Sequence, residues 1–223
     1  MDGKLLAQAL AKFASGVLLV GLLVFLPAGT LDWWRGRLLM AVLFAPMFVA
    51  GLVMMAKAPD LLRKRLGADE EENEQKLVVA LSGVMFIGAF VVAGLGVRLG
   101  WPMLPDWASW AAAVVFLASY ALYAEVMREN AYLSRTIEVQ EGQRVVDTGM
   151  YGIVRHPMYA VTVPLFLSMP LVLGSAPGFA IMLLYLPIIA TRIRNEEQVL
   201  CAGLEGYEDY TRRVKWRLVP HVW

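Results

Sequence analysis

Two polar groups in an otherwise apolar chain carry residue types that can do chemistry. The first is Gly149-Met150-Tyr151-Gly152-Ile153-Val154-Arg155-His156-Pro157-Met158-Tyr159. Its glycines loosen the backbone, and Pro157 suits the first turn of a helix, so Arg155 and His156 fall at the mouth of that helix. The second group, Arg192-Ile193-Arg194-Asn195-Glu196-Glu197, follows an uncharged stretch from Pro157 to Thr191. A hairpin of two helices brings both groups to one membrane face. There they can form a site that takes one ligand from water and another from lipid. Each residue alone also has a plainer reading. His156 suits an interfacial position, Arg155 a lipid phosphate, and Glu196-Glu197 the solvated exit of a helix. Arg192 and Glu196 lie four residues apart and can pair on one helical face. Their joint occurrence is what argues for a site.

The elements that must position these groups follow from composition. Of 223 residues, 59% are hydrophobic and 17% charged, and the mean hydropathy is +0.58, which is too apolar for an ordinary soluble domain. Uncharged runs cover Phe13 to Leu31, Leu38 to Ala56, Leu77 to Val97, Trp107 to Ala124 and Pro157 to Thr191. The last run exceeds one span and breaks at Leu173-Gly174-Ser175-Ala176-Pro177-Gly178. A span needs roughly 17–25 apolar residues, so the chain reads as an all-α polytopic membrane bundle of about six helices, the last two short. The first run is too long for a cleaved signal and lacks a small-residue cleavage pattern.

The net charge of +1 argues against a nucleic-acid partner. A single cysteine, Cys201, excludes an intramolecular disulfide framework. With two distant histidines, His156 and His221, no metal site is expected.

Along the chain, Met1 to Lys12 suits a surface helix or a simple start, and Trp33-Trp34 an interfacial belt. Ala58-Pro59 starts a long polar connection, in which residues 61–66 pattern as a surface-lying helix and 69–74 as a solvated acidic helix start. Gly83, Gly88, Gly94 and Gly96 in the third span favour close helix approach. Trp101 to Pro105 is a rigid turn, Thr136 to Val139 a short β-prone run, and Glu141-Gly142-Gln143 a turn. The sixth span should continue as helix through Arg192 to about Gly203. Gly206 to Tyr210 then starts a short helix that ends in residues 212–217, and the end from Leu218 to Trp223 returns to the membrane surface. Six spans put both termini and both long polar connections on one side. All Lys and Arg except Arg35, Arg37 and Arg98 then share that side, which marks it as cytoplasmic. No ionisable residue lies mid-span, which disfavours a transporter or channel.

The motifs Gly149-x-Tyr151-x-x-x-Arg155-His156-Pro157-x-Tyr159, Arg192-x-x-x-Glu196-Glu197-x-x-Leu200, Gly206-Tyr207-x-x-Tyr210 and Pro220 have a common parallel. Over residues 130–223 the chain resembles the isoprenylcysteine carboxyl methyltransferase and phospholipid methyltransferase group. Many members have Gly where this chain has Val161. The resemblance implies two regions, N-terminal spans over 1–129 and a methyltransferase-like part over 130–223. It implies a membrane enzyme using S-adenosylmethionine, with a lipid or lipidated acceptor. It places the cofactor against Gln143, Arg144, Val145, Val146, Tyr151, His156, Pro157, Met158, Tyr159 and Glu196, and Arg192 towards the substrate. Arg192 and Arg155 are the expected catalytic residues.

The chemistry agrees with that implication. Glu196 can hold an ammonium or a ribose hydroxyl, and Tyr151 and Tyr159 can pack on adenine or face the sulfonium. Backbone N–H groups at the start of the fifth span can receive a carboxylate. A carboxylate acceptor needs no general base, and Arg192 can orient it bidentately, whereas an amine acceptor needs a base that the sequence does not offer. Carboxylate O-methylation is therefore favoured over amine N-methylation. The alternatives are an NADPH-dependent membrane reductase of sterol-reductase type and a non-catalytic protein with this fold.

Overall fold

The structure is a computed structural model describing residues 3–67, 73–130, 132 and 139–223. Among these residues it is all-helical. The helices are α1 (Gly3–Ala28), α2 (Trp34–Lys57), α3 (Pro59–Gly67), α4 (Asn73–Arg98) and α5 (Asp106–Glu129). A 3-10 turn at Gly149–Gly152 precedes α6 (Pro157–Val172), α7 (Ala176–Met182), α8 (Tyr185–Gly203) and α9 (Tyr207–Arg213). Five apolar helical segments are long enough to cross a membrane: α1, α2, residues 80–98 of α4, α5, and the unit from Ala176 to Gly203. α6 is a sixth apolar helix of 16 residues, shorter than a full span. The protein is an integral membrane protein. Exposed Leu18, Leu22 and Leu26 on α1 and Trp107 and Val114 on α5 are the surface that hydrocarbon covers.

α1 runs unbroken from Gly3, so the residues before Lys12 prolong the first spanning helix and do not form a separate surface helix. The surface-helix pattern of 61–66 lies within α3. The acidic stretch falls mostly on residues 68–72 and the β-prone run on 133–138, outside the described residues.

Packing follows from small residues and from prolines. α1 and α4 approach closely at Gly94, where a Cβ would lie 2.7 Å from the Val24 carbonyl oxygen. α6 runs along α5, and Val161 fills their contact with Val126 and Tyr151, in the place where Gly is frequent in the resembling family. α7 and α8 form one interrupted path. Pro187 has no N–H to give Leu183, and Leu183 and Leu184 turn the chain before the helix resumes. That turn sets the direction of α8 and so where Arg192, Glu196 and Glu197 emerge.

One end of the bundle is closed. Arg35, at the start of α2, is buried and donates to the Leu104 carbonyl at 2.5 Å and to Asp106 Oδ1 at 2.6 Å. Gly174, with φ +72°, packs on the same guanidinium, and a Cβ there would collide with it. Leu104 N–H donates to the Gly174 carbonyl at 2.9 Å. These bonds tie the α4–α5 and α6–α7 connections to α2. The opposite end gathers the end of α5, the start of α6, the end of α8, α9 and the chain terminus.

Candidate functional site

Local backbone chemistry sets the site's floor. Gly149 has φ +53°, which glycine adopts without steric cost, and a Cβ there would strike the Glu129 carboxylate. That carboxylate accepts from Met150 N–H at 3.1 Å, so the end of α5 holds the turn before α6. Asn130 donates to the Tyr151 hydroxyl at 3.0 Å, and the Tyr210 hydroxyl donates to the Tyr151 carbonyl at 2.7 Å. Burial pushes the Tyr151 phenol up to about 12, so it is neutral and keeps its own proton to donate. Gly142, with φ +69°, turns the chain that carries 143–146 into the site, and Gln143 Oε1 accepts from Gln140 N–H at 2.8 Å.

α6 begins at Pro157, and Ala160 N–H makes its first bond, to the His156 carbonyl at 3.0 Å. Two upstream N–H groups are taken by the tail: Arg155 donates to the Trp216 carbonyl at 2.8 Å and His156 to that of Arg217 at 2.9 Å. The N–H groups of Met158 and Tyr159, in the turn before the first bond, have no intrahelical acceptor. The tail therefore narrows the expected anion-binding backbone to those two groups.

Beneath the site, Glu197 joins three segments. It accepts from Arg155 Nε at 2.7 Å, from His156 Nε2 at 3.2 Å and, through its second oxygen, from Arg217 Nε at 2.7 Å. Arg155 also donates through Nη1 to the carbonyls of Val214 and Lys215, at 2.8 and 2.9 Å. The carboxylate thus ties α8 to the α6 mouth and to the terminal segment. Because Glu197 is an acceptor, Nε2 of His156 carries the hydrogen and Nδ1 faces Glu196. The tail itself returns to the bundle, with Leu218 and Trp223 packed beside the core of α4, α6 and α8.

Above this layer, the Tyr159 hydroxyl donates to Glu196 Oε2 at 2.6 Å and accepts from Arg192 Nε at 3.0 Å. The other oxygen of Glu196 lies 3.8 Å from His156 Nδ1, too far for a hydrogen bond. The His156 and Tyr159 rings stack with centroids 5.8 Å apart.

A cleft partly open to solvent lies over this network. Of the residues singled out by sequence, Gln143, Arg144, Val145, Val146, Tyr151, Arg155, His156, Met158, Tyr159, Arg192 and Glu196 line it. Pro157 does not: it is fully buried at the first helical position and sets the backbone there.

Sequence reasoning assigned no role to several residues that the structure brings in. Asn130, Leu200, Leu204, Tyr207 and Tyr210 also line the cleft. Tyr207 and Tyr210, three apart on α9, share a helical face, with ring centroids 5.6 Å apart. That spacing was visible as a pattern. Glu197 lies under the cleft; the sequence offered it within the Arg192 motif beside Glu196, without a role of its own. Neighbours on a helix point about 100° apart, so one carboxylate meets the cleft and the other the tail. Burial raises the Tyr207 and Tyr210 phenols well above their ordinary range, and both are neutral. Among the described residues no cluster of side chains has metal-binding geometry.

Residues 110–202 match the model of the isoprenylcysteine carboxyl methyltransferase family, which covers the resembling motifs on α6 and α8 and stops before those at 206–210 and Pro220. The chain is also similar to a Delta(14)-sterol reductase of Mus musculus, 28% identical over 91 residues, 40% of this chain and 22% of that protein. It is 25% identical over 135 residues to a Delta(14)-sterol reductase of Methylotuvimicrobium alcaliphilum, 54% of this chain and 32% of that protein. The chain thus spans a third or less of the length of these curated relatives.

Proposed function

We propose that the protein is an integral membrane S-adenosylmethionine-dependent methyltransferase acting on a lipid or lipidated acceptor, with carboxylate O-methylation favoured over amine N-methylation. The observation that carries this reading is the gathering of both motifs on one cleft inside the segment that matches the methyltransferase family.

The lining fits the cofactor's chemistry. Glu196 Oε1, out of reach of His156, is an acceptor for an ammonium or a ribose hydroxyl. The N–H groups of Met158 and Tyr159 suit a carboxylate, and the tyrosines suit adenine or a cation. The bound sulfonium supplies an electrophilic methyl group. The protein's own contribution is placement, because methyl transfer needs in-line approach. Arg192, held by the Tyr159 hydroxyl, orients the acceptor carboxylate from the lipid side. Arg155, although it borders the cleft, acts by position: its donors hold Glu197 and the tail, and through them His156. Residues 1–129 serve as membrane scaffold, residues 130–223 build the site, and both termini and the cleft face the cytoplasm.

The second reading is an NADPH-dependent reductase, which the two sterol reductase relatives favour. A diphosphate with a further phosphate asks for several available cations. Of the arginines lining the cleft, Arg155 is engaged with Glu197 and two carbonyls. Isothermal titration of the detergent-purified chain with S-adenosylmethionine and with NADPH separates the readings. Binding of the first alone is expected. Binding of NADPH alone makes it a reductase, and binding of neither makes it non-catalytic. For orientation, a cysteine placed at Asp209 in a Cys201→Ser background should label from the cytoplasmic side, and external labelling overturns that arrangement.

A further inference from the structure

Tyr207 and Tyr210 sit on one face of α9, are both buried, and border the same cleft, yet their hydroxyls differ. The Tyr210 hydroxyl donates to the Tyr151 carbonyl at 2.7 Å. The Tyr207 hydroxyl, on a side chain only 4% exposed, has no hydrogen-bond partner among the described residues. Buried polar groups in folded proteins are nearly always paired, because an unpaired one forfeits its hydration. Phenylalanine would make the same apolar contacts with Leu204, Tyr210 and Val145 without that loss. The hydroxyl therefore weakens the ligand-free protein, and its chemistry asks for a partner from outside the chain.

We propose that the Tyr207 hydroxyl is a cofactor-binding group that donates a hydrogen bond to an acceptor oxygen of S-adenosylmethionine. The assignment rests on the methyltransferase reading. Burial and the nearby Glu197 and Glu196 carboxylates keep the phenol protonated, so it is always a donor. The two carboxylates cannot supply that kind of contact themselves, since they only accept. An oxygen of the cofactor's carboxylate or ribose provides what the hydroxyl lacks, while Glu196 serves the cofactor's donors. Binding thereby removes the one penalty that this face of α9 carries.

The test uses Tyr207→Phe in the full chain, purified in detergent, with two readouts. Isothermal titration with S-adenosylhomocysteine should show Kd raised roughly 3- to 10-fold, the worth of one neutral hydrogen bond. Thermal unfolding without ligand should show Tm unchanged or higher, since the variant removes an unpaired buried group. Tyr210→Phe, which breaks a made bond, should lower the ligand-free Tm and calibrates that readout. An unchanged Kd in Tyr207→Phe overturns the assignment while leaving the cofactor reading intact. A lowered ligand-free Tm overturns it too, because the hydroxyl then has a partner within the protein. A wild-type chain that binds no S-adenosylhomocysteine overturns the methyltransferase reading and this assignment with it.

Discussion

The two ends of the bundle each bury an arginine, and they use it differently. At one end Arg35 draws together the starts of α2 and α5 and the α6–α7 connection, and the groups around it close on one another. Gly174 packs so closely on the guanidinium that not even a Cβ fits there. At the other end Arg155 ties the tail and Glu197 in the same manner, but a second polar layer lies above it. There Glu196, Tyr159 and Arg192 are partly spent on each other and still border an open cleft. A buried arginine is thus a structural device at both ends, although Arg35 Nη1, packed against Gly174, has no hydrogen-bond partner among the described residues. What sets the other end apart as a candidate site is polar capacity beside accessible space.

The largest test of this contrast removes the hub. Glu197→Ala leaves Arg155, His156 and Arg217 without their common acceptor. Breaking a buried ion pair from one side costs roughly 3–5 kcal/mol. The expected outcome is a large fall in Tm together with weaker cofactor binding, because the α6 mouth is freed from α8. Unchanged unfolding in detergent would show that the lower layer does not hold the site.

Arg35→Ala sharpens the comparison from the closed end. Lost hydrogen bonds to a charged group are worth about 1.5–3 kcal/mol. Tm should fall, while the folded protein retains the wild-type Kd for S-adenosylhomocysteine. A coupled loss of affinity would mean that the two ends are not independent.

In the upper layer, Glu196→Ala and His156→Ala should each weaken cofactor binding by roughly 1.5–3 kcal/mol. Glu196→Ala should do so with little change in Tm, since its carboxylate is not part of the hub. His156→Ala should also lower Tm modestly, through its bond to Glu197. Titration and unfolding on the same preparations check both. Normal affinity in both variants removes the cofactor from this cleft.

The smallest expected effect is the most specific. Arg192→Lys keeps the charge but loses the two-pronged geometry, a change of roughly tenfold in kcat or acceptor KM if one charged hydrogen bond is lost. Cofactor Kd should stay near wild type. A variant defective only in cofactor binding places Arg192 on the cofactor's side of the cleft.

How much of this was legible in advance differs by layer. The spans were legible because hydrocarbon imposes a length and an apolar composition on any helix that crosses it, whatever its neighbours. Pro157 as a helix start and Gly142 in a turn were legible for the same reason: a backbone constraint is local. The motifs on α6 and α8 indicated which polar side chains belong together. Adjacent carboxylates cannot be told apart by type, however, and only the direction of α8 after the Leu183–Leu184 turn sends Glu196 to the cleft and Glu197 to the tail. Arg155 and Arg192 looked alike as candidate catalytic arginines. In the structure the returning tail supplies carbonyls that accept from Arg155 Nη1, whereas Arg192 Nε donates to the Tyr159 hydroxyl. The two tyrosines of α9 are equivalent in sequence spacing, and only the position of the Tyr151 carbonyl pairs one and leaves the other. Local physics, carried by residue type and spacing, determined the helices, the membrane and the candidate residues. The tertiary structure decided which polar groups are consumed in holding the fold and which remain for a ligand. Hydrogen-bond capacity is allotted among groups distant in sequence, and no local pattern records that allotment.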